Sequence, residues 1–273
     1  SRMAKISGLD AELGVVTLEP GVTQQQLVDY LDEHGLDFYV PTTGAGPTAS
    51  IVGNALEHGF GMTPDEDHFR AITAVRAVLA DGTVYQSGFS ETGAPHAGVW
   101  KWGIGPYVDG LFGQANLGIV TALQIALARR PEHTEAFVFT LKNGVSTERM
   151  LEACRDLLVE MKGPLGGMKL LNRTQLEHTI GTNEMGMSLA EDFVWMGIGV
   201  FRCRKSLIPA IRKEIRRALG AESSRLVFIN NTRNAWLGRL FALVPGRLGA
   251  KLLGQLERAR HLMDIMNGIP RGL

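Results

Sequence analysis

The chain has 273 residues, 45% hydrophobic and 21% charged, with 28 Lys plus Arg against 28 Asp plus Glu. That composition fits a globular protein of one large domain or two ordinary ones, and its charge balance gives no reason to expect a nucleic-acid partner. Two cysteines, Cys154 and Cys203, and seven histidines without an HxH or HxxxH pair exclude a disulfide framework and a zinc-type ligand spacing.

Residues 14–19 are β-rich and predict a strand that Pro20-Gly21 ends. Thr23 then predicts a helix N-cap, with Gln26 three residues on completing a capping box. Leu27, Tyr30 and Leu31 give helical spacing up to His34, and Gly35 is the stop. Phe38–Val40 predicts a short strand. It enters the stretch Pro41–Phe69, which holds five glycines and three prolines in 29 residues. Glycine lets a ligand approach the main chain, while Thr42, Thr43, Thr48, Ser50 and Asn54 add hydrogen-bonding groups. The composition allows either a cofactor-lining surface or a turn-rich connection without a ligand.

Within that stretch, Ile51–His58 predicts a short helix after Ser50. Ile72–Leu79 predicts a strand, Asp81-Gly82 a tight turn and Thr83–Gln86 the returning strand. Residues 87–100 read as a loop. A second glycine-rich stretch, 101–121, runs into a strand over Ile119–Ala128, and Arg129-Arg130-Pro131 marks a boundary. Beyond it come a strand (Ala136–Leu141), a helix (Ser146–Met161, with Met150, Leu151, Cys154, Leu157 and Leu158 on one face), and strands at Met168–Leu171 and Phe193–Phe201. A basic helix (Leu207–Leu219), a strand (Leu226–Ile229) and a helical pattern over Trp236–Met266, broken at Pro245-Gly246, follow. This order predicts an α+β fold, its second part an antiparallel sheet with helices. Both cysteines read as unpaired thiols, Cys154 buried on its helix, and a reducing, cytoplasmic compartment is the expectation. No apolar run reaches spanning length.

Gly44-Ala-Gly46-Pro-Thr-Ala49 fits a loosened G-x-G-x-x-A nucleotide fingerprint. Pro47 fits it poorly, and the acids at 65–67 sit in a turn rather than at a strand end, so a nicotinamide-dependent reading ranks third. Asp65, Glu66, Asp67 and His68 form an acidic turn that serves either proton transfer or simple capping. The serines lack a G-x-S-x-G elbow. Residues 233–260 carry six basic residues against one acid, Glu257. They form either a core-facing helix or a basic face for a membrane surface or a partner.

Several motifs occur in order: Leu18-Glu-Pro-Gly-Val-Thr23, Val52-Gly-Asn-Ala-Leu-Glu-His-Gly-Phe-Gly-Met-Thr-Pro64, Asp67-His68-Phe69, Val78-Leu79-Ala-Asp-Gly-Thr-Val84 and Lys101-Trp-Gly-Ile-Gly-Pro-Tyr-Val-Asp-Gly-Leu-Phe-Gly-Gln-Ala-Asn-Leu-Gly-Ile-Val-Thr121. Together they resemble FAD-linked oxidoreductases of the vanillyl-alcohol oxidase and 4-cresol dehydrogenase type. The resemblance implies the second half of a PCMH-type FAD-binding domain over 1–131 and a partial ferredoxin-like cap over 132–273. It implies FAD as cofactor and no metal. Pro41, Thr42, Thr43, Gly44, Ala49 and Ser50 would run past the flavin and pyrophosphate. Gly53, Asn54, Gly59, Gly61 and Met62 would line the cofactor, and Gly118, Ile119 and Val120 would meet its adenine side.

Two departures accompany the resemblance. Phenol oxidases of the family carry an acid just after the loop proline, where this chain has Thr42 and Thr43. The family's phosphate-binding subdomain precedes the position of Leu18, and its substrate-binding return follows the cap. The resemblance therefore implies a fragment or truncated form, inactive alone, that needs a flanking polypeptide or subunit and oxidises a small-molecule substrate. Self-association as a homo-oligomer is compatible with it. The alternative is a non-catalytic remnant acting as a binding module, associated with a membrane or partner through the basic helix 236–260.

Overall fold

A computed structural model describes residues 3–64, 66–94, 96–141, 144–175, 193–241 and 246–270. It divides into two compact units, Ser1–Arg130 with Asn267–Leu273, and Pro131–Met266.

The first unit is built on a five-stranded sheet of β1 (Ile6–Asp10), β2 (Val15–Leu18), β3 (Ile72–Leu79), β4 (Val84–Gln86) and β5 (Gly118–Ala126), in the order β1-β2-β5-β3-β4. Helix α1 (Gln24–Glu33) starts at Thr23, whose side chain accepts from the Gln26 amide while the Gln26 side chain accepts from the Thr23 amide. This reciprocal cap satisfies two amides that the helix itself leaves open. Leu27, Val28 and Leu31 turn inward onto Leu18, Val22, Ile72, Leu123 and Ile125. Each such side chain contributes about 1.5–3 kcal/mol by leaving water. Helix α2 (Ile51–Leu56) is capped by Ser50, whose hydroxyl accepts from the Gly53 amide.

Two elements differ from the sequence expectation. Strand β1 carries Gly8 and Asp10 and only partly buried side chains, so it has no strand signature and is held by pairing with β2. The expected strand over Phe38–Val40 is reduced to one bridge, Phe38 to Arg129. Pro41, without an N–H, cannot continue a ladder there.

In the second unit, β6 (His133–Leu141), α3 (Thr147–Glu160), β7 (Leu165–Asn172), β8 (Trp195–Cys203), α4 (Ile208–Leu219) and β9 (Ser223–Ile229) form a ferredoxin-like βαββαβ unit, strand order β7-β8-β6-β9. One sheet face buries Phe137, Phe139, Phe201 and Phe228 under Met150, Cys154 and Leu157 of α3 and Ile211, Ile215 and Leu219 of α4. Leu151 and Leu158, expected on the buried face of α3, are exposed. Positions 150, 154 and 157 form the stripe, and each of these two leucines lies one residue, or 100°, round the helix from it. Opposite Phe139 and Phe137 stand Gly197 and Gly199, where an added Cβ would fall 2.0 and 2.2 Å from the rings. The glycines leave room for aromatic rings to lie across the neighbouring strand. Helices α5 (Asn231–Phe241) and α6 (Gly246–Met266) follow, and the expected break at Pro245 lies outside the described residues.

All ladders between described strands are antiparallel, which rules out the Rossmann reading of the Gly44–Ala49 motif. No described helix is long and apolar enough to cross a membrane. The side chains of Arg233, Trp236, Arg239, Arg247 and Lys251, on which the basic-face reading leaned, lie outside the described ones.

Candidate functional site

Loop 41–50 is fastened to the start of α1 by one side chain. Gln24, almost fully buried, accepts from the Thr43 amide at 3.0 Å and donates to Thr43 Oγ1 and to the Gly46 carbonyl, each at 3.2 Å. The amides of Gln24 and Gln25 bond the carbonyls of Ala49 and Pro47, and Ser50 Oγ donates to the Pro20 carbonyl at 2.6 Å. Pro41 and Thr42 are buried, while Gly44 is exposed with open space where a Cβ would stand. No hydrogen bond among the described residues uses the Gly44 or Thr48 amide. The loop is therefore rigid at its root and presents free backbone donors at its crest.

The second half of the stretch folds back on α2. The amide of Gly59 bonds Asn54 O, that of His68 bonds Gly59 O, and that of Gly61 bonds Glu66 O. A Cβ on Gly59 would lie 2.0 Å from Asn54 Oδ1, and one on Gly61 would lie 2.4 Å from Thr42 O and 2.8 Å from His68 Nε2. These two positions admit only glycine as packed. Asn54 Oδ1 accepts from His68 Nδ1 at 2.5 Å, which leaves His68 Nε2 as a bare acceptor. That nitrogen is buried without a partner among the described residues, as is Thr63 Oγ1. Burial lowers the His68 pKa to about 4, so the ring is neutral at pH 7. Asp67 caps the amide of Arg70, so capping is realised in the acidic turn, while its histidine pairs with an amide instead of a carboxylate. Asp65 lies outside the described residues.

The 101–121 stretch docks on the same region. Gln114 bonds Leu56 O through its amide and Glu57 O through its side chain, and the Gly113 Cα packs against His58 and Phe69. Lys101 donates to the carbonyls of Phe69 and Arg70, its ammonium 5.5–5.7 Å from the rings of Phe69, Trp102 and Tyr107. Burial lowers the Lys101 pKa. Asp109, itself buried, accepts from Ser87 Oγ at 2.8 and 2.9 Å and from Tyr85 OH at 2.6 Å. Burial, aided by the Asp109 charge, pushes the Tyr107 phenol up to about 12.

Thus Thr43, Ala49, Ser50, Gly53, Asn54, Gly59 and Gly61 belong to one hydrogen-bonded web, with Gly44 at its crest and Pro41, Thr42 and Met62 buried beside it. Gly118, Ile119 and Val120 open β5, paired with Leu79, Val78 and Ala77, and reach that web through the Gln114 segment. Sequence reasoning missed Gln24, which a helix-capping view treats as an ordinary first-turn residue, and the Lys101 and Asp109 anchors. It also missed an apolar surface: Trp100, Trp102, Ile104 and Ile119 are 70–89% exposed, unusual for residues of that size. No cluster of potential metal ligands occurs among the described residues.

A flat cofactor with a polar chain fits this surface: free amides at Gly44 and Thr48, and orphaned acceptors at His68 and Thr63. Comparison with known proteins agrees. Residues 1–88 match the FAD binding domain family. The chain is 34% identical over 279 residues to 1'-carboxy-chondrochloren decarboxylase of Chondromyces crocatus, covering 95% of this chain and 51% of that protein. It is 36% identical over 163 residues to the 4-cresol dehydrogenase [hydroxylating] flavoprotein subunit of Pseudomonas putida, covering 57% of this chain and 30% of that protein. Among solved structures, 4-ethylphenol oxidase from Gulosibacter chungangensis superimposes with a TM-score of 0.80 at 22% identity, covering 99% of this chain and 52% of that one. The chain thus spans about half the length of the first of these curated relatives, and its match covers 30% of the second.

Proposed function

We propose, for a chain that carries a PCMH-type FAD-binding domain, that it is the flavin-holding and cap-bearing part of an FAD-dependent oxidoreductase acting on a small organic substrate of aromatic, hydroxylated or carboxylated type. The observation that carries this reading is the single web joining the Gln24-anchored loop to the Asn54–His68 turn. It ties Thr43 through Gly61 together and leaves the amides of Gly44 and Thr48 free. FAD, when bound, supplies the redox chemistry, accepting a hydride or electrons from the substrate. This chain's residues bind and orient it. Gly44 and Thr48 offer amides to its polar chain, Gly59 and Gly61 allow tight packing beneath it, and Gly118–Val120 offer strand backbone. The exposed Trp100, Trp102 and Ile104 give apolar surface to the site's rim.

Thr42 and Thr43 put no carboxylate after Pro41. The relative matched over 95% of the chain is named a decarboxylase, and another is named for 4-cresol. An acid-bearing substrate is therefore favoured over a simple alkylphenol. The relative named as a flavoprotein subunit supports a further requirement for a partner subunit or adjoining polypeptide.

The test is anaerobic mixing of FAD-loaded protein with aromatic carboxylates and with 4-alkylphenols, followed at the flavin absorbance band. Bleaching by a carboxylate supports the reading. Failure of the chain to bind FAD even when the cofactor is in large excess overturns it.

A further inference from the structure

We propose that the second unit binds a compact neutral molecule, apolar except for one carbonyl oxygen, in the cavity between the β6–β9 face and helices α5 and α6. The carbonyl oxygen accepts from Asn234. The cavity has a volume of about 370 Å³, within the range of roughly 300–1,000 Å³ usual for small-molecule pockets. Its floor is the sheet face opposite α3 and α4, where Val138 and Thr140 of β6 stand in register with Val227 and Arg225 of β9. Leu262 of α6 packs on the cluster that holds Val138, so α6 lies over this face. Asn234 and Leu237 of α5 and Leu256 of α6 complete the walls. Arg225 and Gln255 are exposed and stand at the mouth.

Asn234 argues for a ligand over an imperfect core. It is 4% exposed, lines the cavity, and its Nδ2 has no partner among the described residues. A buried amide donor left open is uncommon and unfavourable, so a site that retains one is shaped for an acceptor. Thr140 of the floor turns its hydroxyl to Ser224 Oγ, at 2.7 Å, and leaves Asn234 unmet. The lining then sets the rest of the ligand. Apart from Asn234, Thr140, Arg225 and Gln255 it consists of Val, Leu, Ile, Phe and Ala, which selects an apolar body. An ionised ligand would exchange its hydration for one neutral amide, since Arg225 already has a partner of its own. A carbonyl oxygen gives up far less water and gains the same hydrogen bond. A ligand with donors alone would leave the Asn234 amide open.

The site does not rest on the flavin reading, since all of its residues belong to the second unit. The test uses 2-acetonaphthone as probe. Its counterparts are 2-isopropenylnaphthalene, in which a methylene replaces the carbonyl oxygen, and the anion 2-naphthoate. Binding to the purified 273-residue chain is measured by equilibrium dialysis, and flavin content is read separately by absorbance. We expect saturable one-site binding of the ketone whether or not flavin is present, about tenfold or more tighter than either counterpart. A cavity without a donor would favour the alkene, because water solvates the carbonyl group. Asn234→Leu should therefore lower the ratio of ketone to alkene affinity by about tenfold or more. Ala259→Leu, which fills the cavity from α6, should abolish binding of the ketone. An unchanged ratio in Asn234→Leu overturns the proposal, as does ketone binding retained by Ala259→Leu. Absence of saturable ketone binding, or tighter binding of the naphthoate, overturns it too. If Asn234→Leu does not fold, the parent chain decides, and tighter binding of the alkene than of the ketone overturns the proposal.

Discussion

His68 Nδ1 lies 2.5 Å from Asn54 Oδ1, bridging 14 residues of chain and closing the glycine turn against α2. The contact requires a proton on Nδ1, which the neutral and charged rings both supply; burial disfavours the charged ring and holds the His68 pKa down to about 4 from 6.5. Below pH 6.5 the unfolded chain takes a proton at this residue that the folded chain refuses until about pH 4. Folding stability therefore falls as pH drops through that window and is complete above it. The span corresponds to roughly 3 kcal/mol at about 1.4 kcal/mol per pH unit. Urea unfolding at about pH 7.5, 5.5 and 4.0 should show this loss, and His68→Gln should flatten it. A His68→Gln profile parallel to the parent's would show that His68 is not the titrating group.

The glycines of the turn differ sharply in what they tolerate. Gly59→Ala and Gly61→Ala should each destabilise the first unit by about 2 kcal/mol or more, because the new methyl must displace Asn54 or the Thr42 carbonyl. Gly44→Ala, with open space around it, should stay within about 0.5 kcal/mol. Thermal melts of the three variants check this; equal effects at Gly44 and Gly59 would contradict the packing.

Gln24 is the anchor of loop 41–50. Gln24→Leu keeps the volume and removes one acceptor and two donor contacts, leaving the Thr43 amide without its partner. A loss of about 1–3 kcal/mol is expected. It should be accompanied by new proteolytic cleavage between residues 41 and 50, and an unchanged digestion pattern would show that the loop is held by other contacts.

In the second unit, Glu135 is fully buried and accepts from Arg212 at 2.7 and 2.9 Å and from Asn230 at 3.0 Å, with His133 Nε2 at 2.7 Å. A carboxylate so surrounded is held by its partners, and removing it leaves their donors unmet. Glu135→Ala should destabilise by about 3 kcal/mol in urea unfolding. A change below about 1 kcal/mol would mean that water replaces the carboxylate freely.

Local signals proved readable where a few neighbouring residues decide the outcome. The Thr23–Gln26 capping box, the Ser50 cap of α2, the Asp81-Gly82 turn and β3 over Ile72–Leu79 all follow from adjacent residues and stand where expected. The antiparallel, helix-backed layout of the second unit was also legible, because amphipathic helices follow β6 and β8. What stayed hidden depends on distant partners. Nothing near Gln24 announces that it will face Thr43 and Gly46, and nothing in the Asp67-His68 dipeptide announces Asn54. Asn234 reads as an ordinary polar residue in a helix until the sheet beneath it leaves a cavity.

Flavins that differ in phosphate should be distinguished poorly by this chain. Between Pro41 and Phe69 there is no Lys or Arg, while Glu57, Asp65, Glu66 and Asp67 are acidic. Three cations of the first unit are engaged elsewhere: Lys101 with the carbonyls of Phe69 and Arg70, Arg129 with those of Ala11 and Glu12, and Arg130 with Asp37 and the Asn267 carbonyl. A pyrophosphate gains most from charge-assisted bonds, about 1.5–3 kcal/mol each. The web around Gln24 and Asn54 supplies neutral amides instead. The 273-residue chain should therefore bind FAD only weakly, in the micromolar range or above, and should prefer FAD over riboflavin by less than about tenfold. Raising the salt concentration should change the FAD affinity little, because few ion contacts are screened. Quenching of flavin fluorescence, titrated with both ligands at low and high salt, measures all three quantities. Nanomolar FAD binding that collapses in salt would show that a cationic phosphate site exists in this chain after all.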